Sequence, residues 1–252
     1  MLMIDRDALR VMYRPPTWVT GGLSAGDAEF LFDLVTQREP AHVLELGVAA
    51  GTSSAALLFA LDQLPPPRRL YSVDVRATCY FDPSKALGAA VDEMYPTYAT
   101  RWIRDFDADA RKVGLTMPLA SVDFAFIDAN HHHPFPLLDV LHLAPVMRPG
   151  AWIALHDIEL PRLYPQFQSH GPMWLFEVWP GEKLRGTGDA ENIGAVQMPA
   201  DLETLVPMAC ALLERKWEGQ PAGLEYSITT PAFAAVHAAM RRRRLPPPGG
   251  RR

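Results

Sequence analysis

Cysteine is almost missing from this 252-residue chain, which carries only Cys79 and Cys210. Two thiols cannot make a disulfide framework or a cysteine zinc site, so both read as buried or half-buried thiols in a reducing compartment. Long apolar runs are also lacking. The longest, Ala55–Leu61, is seven residues, far short of the roughly 20 that a membrane helix needs. Met1-Leu-Met-Ile-Asp-Arg6 lacks the basic-then-apolar layout of a signal peptide. The expected setting is the cytoplasm, with no membrane partner. Basic residues are scarce in the body of the chain. The net charge of −5 comes from 24 Lys and Arg against 29 Asp and Glu, but six of those Arg lie in the last twelve positions. Residues 1–240 therefore hold 18 basic and 29 acidic residues, a balance of −11. So acidic a body repels a phosphate backbone and excludes nucleic acid as the main partner.

What is present is a full core's worth of apolar residues, 48% of the chain, and a regular alternation of strand and helix signals. Ser24-Ala-Gly-Asp27 reads as a capping box opening a helix whose apolar face carries Phe30, Leu31, Leu34 and Val35. Val43–Leu46 is a strand, and the Ala/Leu-rich stretch Ser53–Leu64 is a buried helix. Leu70–Val73 is a second strand ending on Asp74. Asp82-Pro83 supplies an N-cap and first-turn proline for a helix reaching about Met94. A weaker strand falls near Thr100–Ile103. Val122–Ile127 is a strand ending on Asp128, Pro136–Met147 a helix, and Ala151–Leu155 a strand ending on His156-Asp157. Near-continuous apolar strands separated by helices are what a parallel sheet covered on both faces requires.

Beyond Asp157 the pattern changes. After a helix around Met173–Val178, Lys183–Thr187 and Ile193–Gln197 flank the turn-rich Gly188-Asp-Ala-Glu-Asn192, which predicts an antiparallel hairpin at the sheet edge. Helices are expected over Leu202–Lys216, with Pro207 near the middle, and over Pro231–Arg243, with a strand or arm at Leu224–Thr229 between them. The expected division is an N-terminal arm or lid at 1–24, an α/β core at 25–198, a helical extension at 199–245 and a disordered basic tail at 246–252.

Ligands of open α/β sheets bind outside the carboxyl ends of the strands, and here those ends carry Glu45/Gly47, Asp74, Asp128 and His156/Asp157. The first turn, Glu45-Leu-Gly47-Val-Ala49-Ala-Gly51-Thr-Ser53, has neither the G-x-G-x-x-G of dinucleotide folds nor the G-K-[ST] of a phosphate loop. Its small residues let a ligand approach the backbone at Gly47 and Gly51, although a tight strand–helix turn would need the same glycines.

Val43-Leu-Glu-Leu-Gly-Val-Ala-Ala-Gly-Thr-Ser53 resembles motif I of the class I S-adenosylmethionine-dependent methyltransferases. Val122-Asp-Phe-Ala-Phe-Ile-Asp128-Ala-Asn-His131 and Met147-Arg-Pro-Gly-Ala-Trp-Ile-Ala-Leu-His-Asp157 resemble a paired block of one subgroup, related to small-molecule O-methyltransferases and macrocin-type sugar methyltransferases. Two glycines of the family pattern are replaced, by Ala49 and Ala129. The resemblance spans residues 25–198. It implies a doubly wound, Rossmann-like, seven-stranded and mostly parallel sheet with an antiparallel edge hairpin and C-terminal helices.

It also implies S-adenosylmethionine as cofactor, held by Glu45, Gly47, Gly51, Thr52 and Ser53 of the turn, by Asp74 at the ribose, by Asp105 or Asp107 near the adenine, and by Asp128. A carboxylate's two oxygens suit a vicinal diol. The acceptor would be a small molecule methylated at a hydroxyl, flat or sugar-like, with Tyr13, Trp18, Trp174 and Trp179 near it. Two mechanisms stay open. Asp128 and Asp157 hold a magnesium ion that acidifies the acceptor, or His131 or His156 acts as base without a metal, beside Asp128. His132 and His133 read as loop residues, because consecutive side chains diverge. The rival functional class is a non-catalytic cofactor-binding or assembly subunit, and the C-terminal helices suit a homo-oligomer interface. A nicotinamide oxidoreductase is disfavoured by the glycine spacing.

Overall fold

A computed structural model of the chain describes residues 5–98 and 101–218, together with position 234. Strands β1 (His42–Leu46), β2 (Arg69–Val73), β3 (Trp102–Asp105), β4 (Val122–Ile127), β5 (Met147–His156), β6 (Lys183–Arg185) and β7 (Ile193–Gln197) form one sheet in the order β3-β2-β1-β4-β5-β7-β6. β1 to β5 run parallel, and the expected edge hairpin closes the sheet, with β7 antiparallel to β5 and β6 antiparallel to β7. The α-helices are α1 (Arg6–Met12), α2 (Ala25–Arg38), α3 (Thr52–Asp62), α4 (Ala89–Met94), α5 (Ala110–Thr116), α6 (Phe135–Leu143), α7 (Leu160–Leu163), α8 (Gly171–Val178) and α9 (Leu205–Leu213). No helix among the described residues is long and apolar enough to cross a membrane.

The period of two along each strand divides the core between the sheet's faces. Val43, Phe124, Phe126, Trp152 and Ala154 pack with Leu9, Leu31, Phe32, Leu57 and Leu58 from α1, α2 and α3. Leu44, Leu46, Ala125, Ile127, Ile153 and Leu155 pack with Val113, Leu137, Leu141, Leu175 and Ala209 from α5, α6, α8 and α9. Register fixes where the chemistry lies. Leu46 pairs with Val73 and with Ile127, and Ile127 pairs with Leu155. The next residues, Gly47, Asp74, Asp128 and His156, therefore reach one rim, at the point where strand order reverses between β1 and β4.

Several elements depart from the sequence expectation. The helix expected from Asp82 begins only at Ala89. Asp82 instead folds its carboxylate onto the amide and hydroxyl of Ser84, at 3.0 and 2.6 Å, a local turn that competes with helix. Gly88, at φ +74°, sets the later start. The helix expected to run to Met147 stops at Leu143, because Met147 already opens β5. α5, capped by Asp109 on the Lys112 amide at 2.8 Å, was not expected at all. The Leu202–Lys216 helix is a 3-10 turn at Leu202–Thr204 followed by α9, which puts Pro207 in a first turn where no amide partner is needed. The strand or arm at Leu224–Thr229, the helix at Pro231–Arg243 and the tail at 246–252 lie outside the described residues, position 234 excepted.

The two glycines of the first turn are demanded by the chain itself. A Cβ on Gly47 (φ +86°) would lie 2.0 Å from the Asp128 carbonyl oxygen, and one on Gly51 (φ +91°) would lie 2.7 Å from the Gly88 Cα. Gly51 thus lets the turn meet α4 backbone to backbone. Gly51→Ala combines a left-handed backbone with that clash, so it should cost roughly 2 kcal/mol or more. Urea unfolding should show a lower midpoint at unchanged slope.

Candidate active site

A cavity of about 1060 Å³ opens over the aligned strand ends. Gly47, Asp74, Asp128, His156 and Asp157 lie on its floor side, and Val19–Gly22 from the segment before α2 forms one wall. Another wall carries Leu160, Leu163, Tyr164 and Phe167 of α7 and the residues after it, together with Tyr80 and Phe81. Tyr80, Tyr164 and Phe167 are each at least half exposed there. Ala108, Asp109, Ala110 and Asp139 lie at the α5–α6 side. Burial, and then the charge of Asp109, push the Asp139 carboxyl up to about 7.

Four ionisable side chains meet beside Asp128. His131 Nε2 is 3.0 Å from Asp128 Oδ1 and 3.2 Å from Asp157 Oδ2. His156 Nδ1 is 3.4 Å from Asp128 Oδ1 and 3.5 Å from Asp157 Oδ1, and its Nε2 is 3.6 Å from Asp27 Oδ2. Asn192 Nδ2 donates to Asp157 Oδ1 at 2.5 Å. Asp157 itself sits at φ +60°, a conformation that asparagine and aspartate tolerate better than other L-residues. Both ring nitrogens of His156 and Asp27 Oδ1 are buried without a hydrogen bond of good geometry.

Electrostatics binds the cluster together. Burial opposes a charged His156, but the charge of Asp128 and the carboxylates of Asp157 and Asp27 outweigh it and hold the imidazolium well above its ordinary range. His131 is raised in the same way, burial being overcome by its bond to Asp128 and by the charges of Asp128 and Asp157. Asp128 is in turn held below the usual carboxylate range by His156 and His131, against the effect of its burial.

The structure brings most of the sequence-derived site residues to this one cavity: Gly47, Thr52, Ser53, Asp74, Asp128, His131, His156 and Asp157 all line it. Asp74 Oδ2 accepts from the Val48 amide at 2.9 Å and its Oδ1 from the Arg76 amide at 3.0 Å, which fixes the carboxylate at the edge of the turn. Other expected residues stand elsewhere. Gly51 packs on Gly88. Asp107 is exposed with its carbonyl on the Lys112 ammonium, so its neighbours Ala108 and Asp109 reach the cavity instead. Asp105 pairs with Lys112 and Tyr71.

Glu45 lies wholly buried beneath the turn, on the face covered by α3, accepting hydroxyls from Ser53, Ser54 and Ser72 at 2.7, 2.7 and 2.5 Å. It holds strand and helix together and does not line the cavity. The aromatic residues expected near the acceptor are also displaced. Tyr13 is buried with its hydroxyl on the Leu23 carbonyl, Trp18 bonds Glu93, and Trp174 and Trp179 pack in or against the core of the opposite sheet face. Their place is taken by Tyr80, Tyr164 and Phe167. Asp27 and Asn192 were missed as site residues. Their only sequence signals are a capping box and a hairpin turn, neither of which points to a cavity.

Asp128, His131 and Asp157 each offer a ligand atom, all within 4.8 Å of one another. Two carboxylates and one imidazole make a donor set that fits a divalent cation with open positions. The imidazole suits manganese, iron or zinc better than the all-oxygen preference of magnesium.

The family described as "Methyltransferase domain" matches residues 44–158, which include β1, the first turn, β2 and the Asp128–Asp157 pair. In sequence those residues are similar to that family. No curated protein matches the chain. Among solved structures, cofactor-bound Rv0187 from MTB superposes with a TM-score of 0.56 at 18% identity, covering 79% of this chain and 92% of that one. The O-methyltransferase TomG from Streptomyces achromogenes, involved in tomaymycin synthesis and solved with SAM, gives 0.52 at 22% identity, covering 71% and 82%. A methyltransferase from Geobacter sulfurreducens gives 0.51 at 11% identity, covering 70% and 80%. At such identities the likeness establishes a shared fold.

Glu45 gives the domain a titratable keystone. Burial raises its carboxyl to about 7, with the three serine hydroxyls opposing the shift. A carboxyl raised in the folded state stabilises most below the unfolded value of 4.5, and that contribution is lost as pH rises through about 7. Glu45→Gln should therefore gain on wild type by on the order of 2–3 kcal/mol between pH 4.5 and 8. Paired urea titrations across that range check the sign.

Proposed function

We propose that the chain is an S-adenosylmethionine-dependent methyltransferase that methylates a hydroxyl of a small, flat, aromatic acceptor. The observation that carries this reading is His131, facing Asp128 and Asp157 at 3.0 and 3.2 Å in the cavity that Asp74 and aromatic Tyr80, Tyr164 and Phe167 also line. TomG, solved with SAM, and Rv0187, solved with a bound cofactor, support the choice of cofactor. Within this reading residues 25–198 are the catalytic core and 1–24 an arm whose Val19–Gly22 closes one side of the cavity.

Methyl transfer from a sulfonium is a displacement that needs alignment above all. The Asp74 carboxylate, pinned by the Val48 and Arg76 amides, keeps free lone pairs for the two ribose hydroxyls. The aromatic wall stacks the acceptor and excludes water from its reacting edge. With His131 Nε2 donating to Asp128 and Asp157, the acceptor hydroxyl gives its proton to His131 Nδ1, and the resulting imidazolium is stabilised by the two carboxylates. His156 sits behind them with its far nitrogen toward Asp27, balancing the clustered negative charge. In the alternative mechanism Asp128, His131 and Asp157 would instead hold a divalent cation, which would lower the pKa of an acceptor hydroxyl in place of the histidine base.

Calorimetry with S-adenosylhomocysteine should show binding that Asp74→Ala weakens by roughly tenfold or more, the loss of hydrogen bonds to a charged group. No binding to wild type sinks the cofactor reading. On a panel of phenols and catechols, His131→Asn should lower kcat by roughly 10²–10⁴-fold while leaving that affinity unchanged. Binding without turnover of any acceptor would favour an assembly subunit instead.

The raised His131 places the rising limb of the kcat profile above pH 6.5. Its base form appears only once pH exceeds that raised value. A limb wholly below pH 6 in metal-stripped enzyme would be inconsistent with His131 as base. Adding manganese after EDTA treatment should raise turnover if the cation site is used.

A further inference from the structure

At the His131–His133 loop, the segment following α9 makes a dense set of contacts that the reaction does not use. Glu218 Oε2 accepts the His133 amide at 2.7 Å and the His170 amide at 3.0 Å, and its Oε1 is 2.5 Å from His170 Nδ1. The Glu218 amide donates back to the His133 carbonyl at 2.9 Å. One residue therefore bonds the loop twice and joins it to the start of α8. Gly171 completes the junction, its amide donating to the His131 carbonyl at 2.9 Å. A second brace lies one helical turn earlier in sequence. Arg215 stands over the Trp174 ring at 4.7 Å, and that ring stacks on His170 at 4.9 Å and 22°.

These contacts matter because, beyond the His131 pairs with Asp128 and Asp157, they are the loop's charged holds. Others are Ser169 Oγ at 3.2 Å from His132 Nδ1, the Phe135 amide on the His132 carbonyl and the His133 ring against Trp174 at 5.1 Å. The loop lies between β4 and α6, and α6 starts without a side-chain cap. The His132 amide is met by Asn130 of the same loop. A carboxylate that accepts two backbone amides makes charge-assisted bonds, roughly twice as strong as neutral ones. The Glu218 side chain is 14% exposed, so water competes poorly for it.

We infer that Glu218 is a positioning residue, fixing the His131–His133 loop and through it the His131 imidazole in the cavity. The inference rests on the reading of His131 given above. It makes the C-terminal segment part of the site's machinery, although Glu218 itself touches no reacting group.

The test compares Glu218→Ala, Glu218→Asp and Glu218→Gln in the full chain. Gln keeps an oxygen for the amides, Asp withdraws it and Ala removes it. Hydrogen exchange at the amides of residues 131–133 should quicken by roughly tenfold or more in the Ala and Asp variants and stay near wild type in Gln. The His131 imidazole resonance, assigned by its loss in His131→Asn, should shift in Ala and Asp and be restored in Gln. S-adenosylhomocysteine affinity should stay within about twofold throughout, as expected for a local opening.

Unchanged exchange and an unchanged His131 signal in Ala and Asp would overturn the inference. So would a Gln variant that fails to restore them, or a parallel collapse of cofactor affinity, which would mark Glu218 as general structural support. Full turnover by His131→Asn would instead remove His131 from the chemistry while leaving the loop measurements to stand or fall by themselves.

Discussion

Asp128 ends β4 with two imidazoles within 3.0 and 3.4 Å, and its ionised state depends on both. A carboxylate taken out of water needs such partners, and removing one strands the charge of the others. The dependence spreads from there. His156 carries it to Asp27, so the capping box of α2 is tied to the end of β5. Asp157 carries it to Asn192, so the residue opening β7 is tied to the same point. Helix, central strands and edge hairpin thus share one electrostatic junction, and the cavity takes its shape from where that junction lies.

The parallel core was legible because its strands are short apolar runs that stop on polar residues. Register then does what no sequence pattern can show, placing Gly47, Asp74, Asp128 and His156 at one rim. The first-turn glycines were legible as glycines but not as to purpose, since Gly47 and Gly51 face protein backbone. Glu45 has the same ambiguity. An acidic residue at a strand end points to a ligand or to the interior according to the parity of its position, and Val43 and Glu45 share the face that α3 covers.

The parts that stayed hidden are those made by pieces distant in sequence. Asp27 is separated from His156 by most of the domain, and its local role as a capping residue accounts for its presence without reference to any site. The aromatic wall comes from the segment after the four-residue helix α7 and from the β2–α4 connection, neither of which has a periodic signal. The expected aromatic residues failed for a related reason. Trp174 and Trp179 lie on α8 and at its end, which belong to the face of the sheet opposite α2 and α3, and nothing local distinguishes one face from the other.

The contact between Gly47 and the Asp128 carbonyl has a bearing on how such a site can be altered. Because the first turn rests directly on the backbone of the residue that anchors the ionic junction, the proposed cofactor half of the cavity and the proposed acceptor half share one rigid floor. Neither can be widened or tilted without disturbing the other. The freedom to accept a differently shaped partner therefore lies in the walls: Val19 and Thr20, Tyr164 and Phe167 after α7, and Tyr80. Redesign of acceptor preference belongs at those exposed positions, where side chains can change size without moving a strand end.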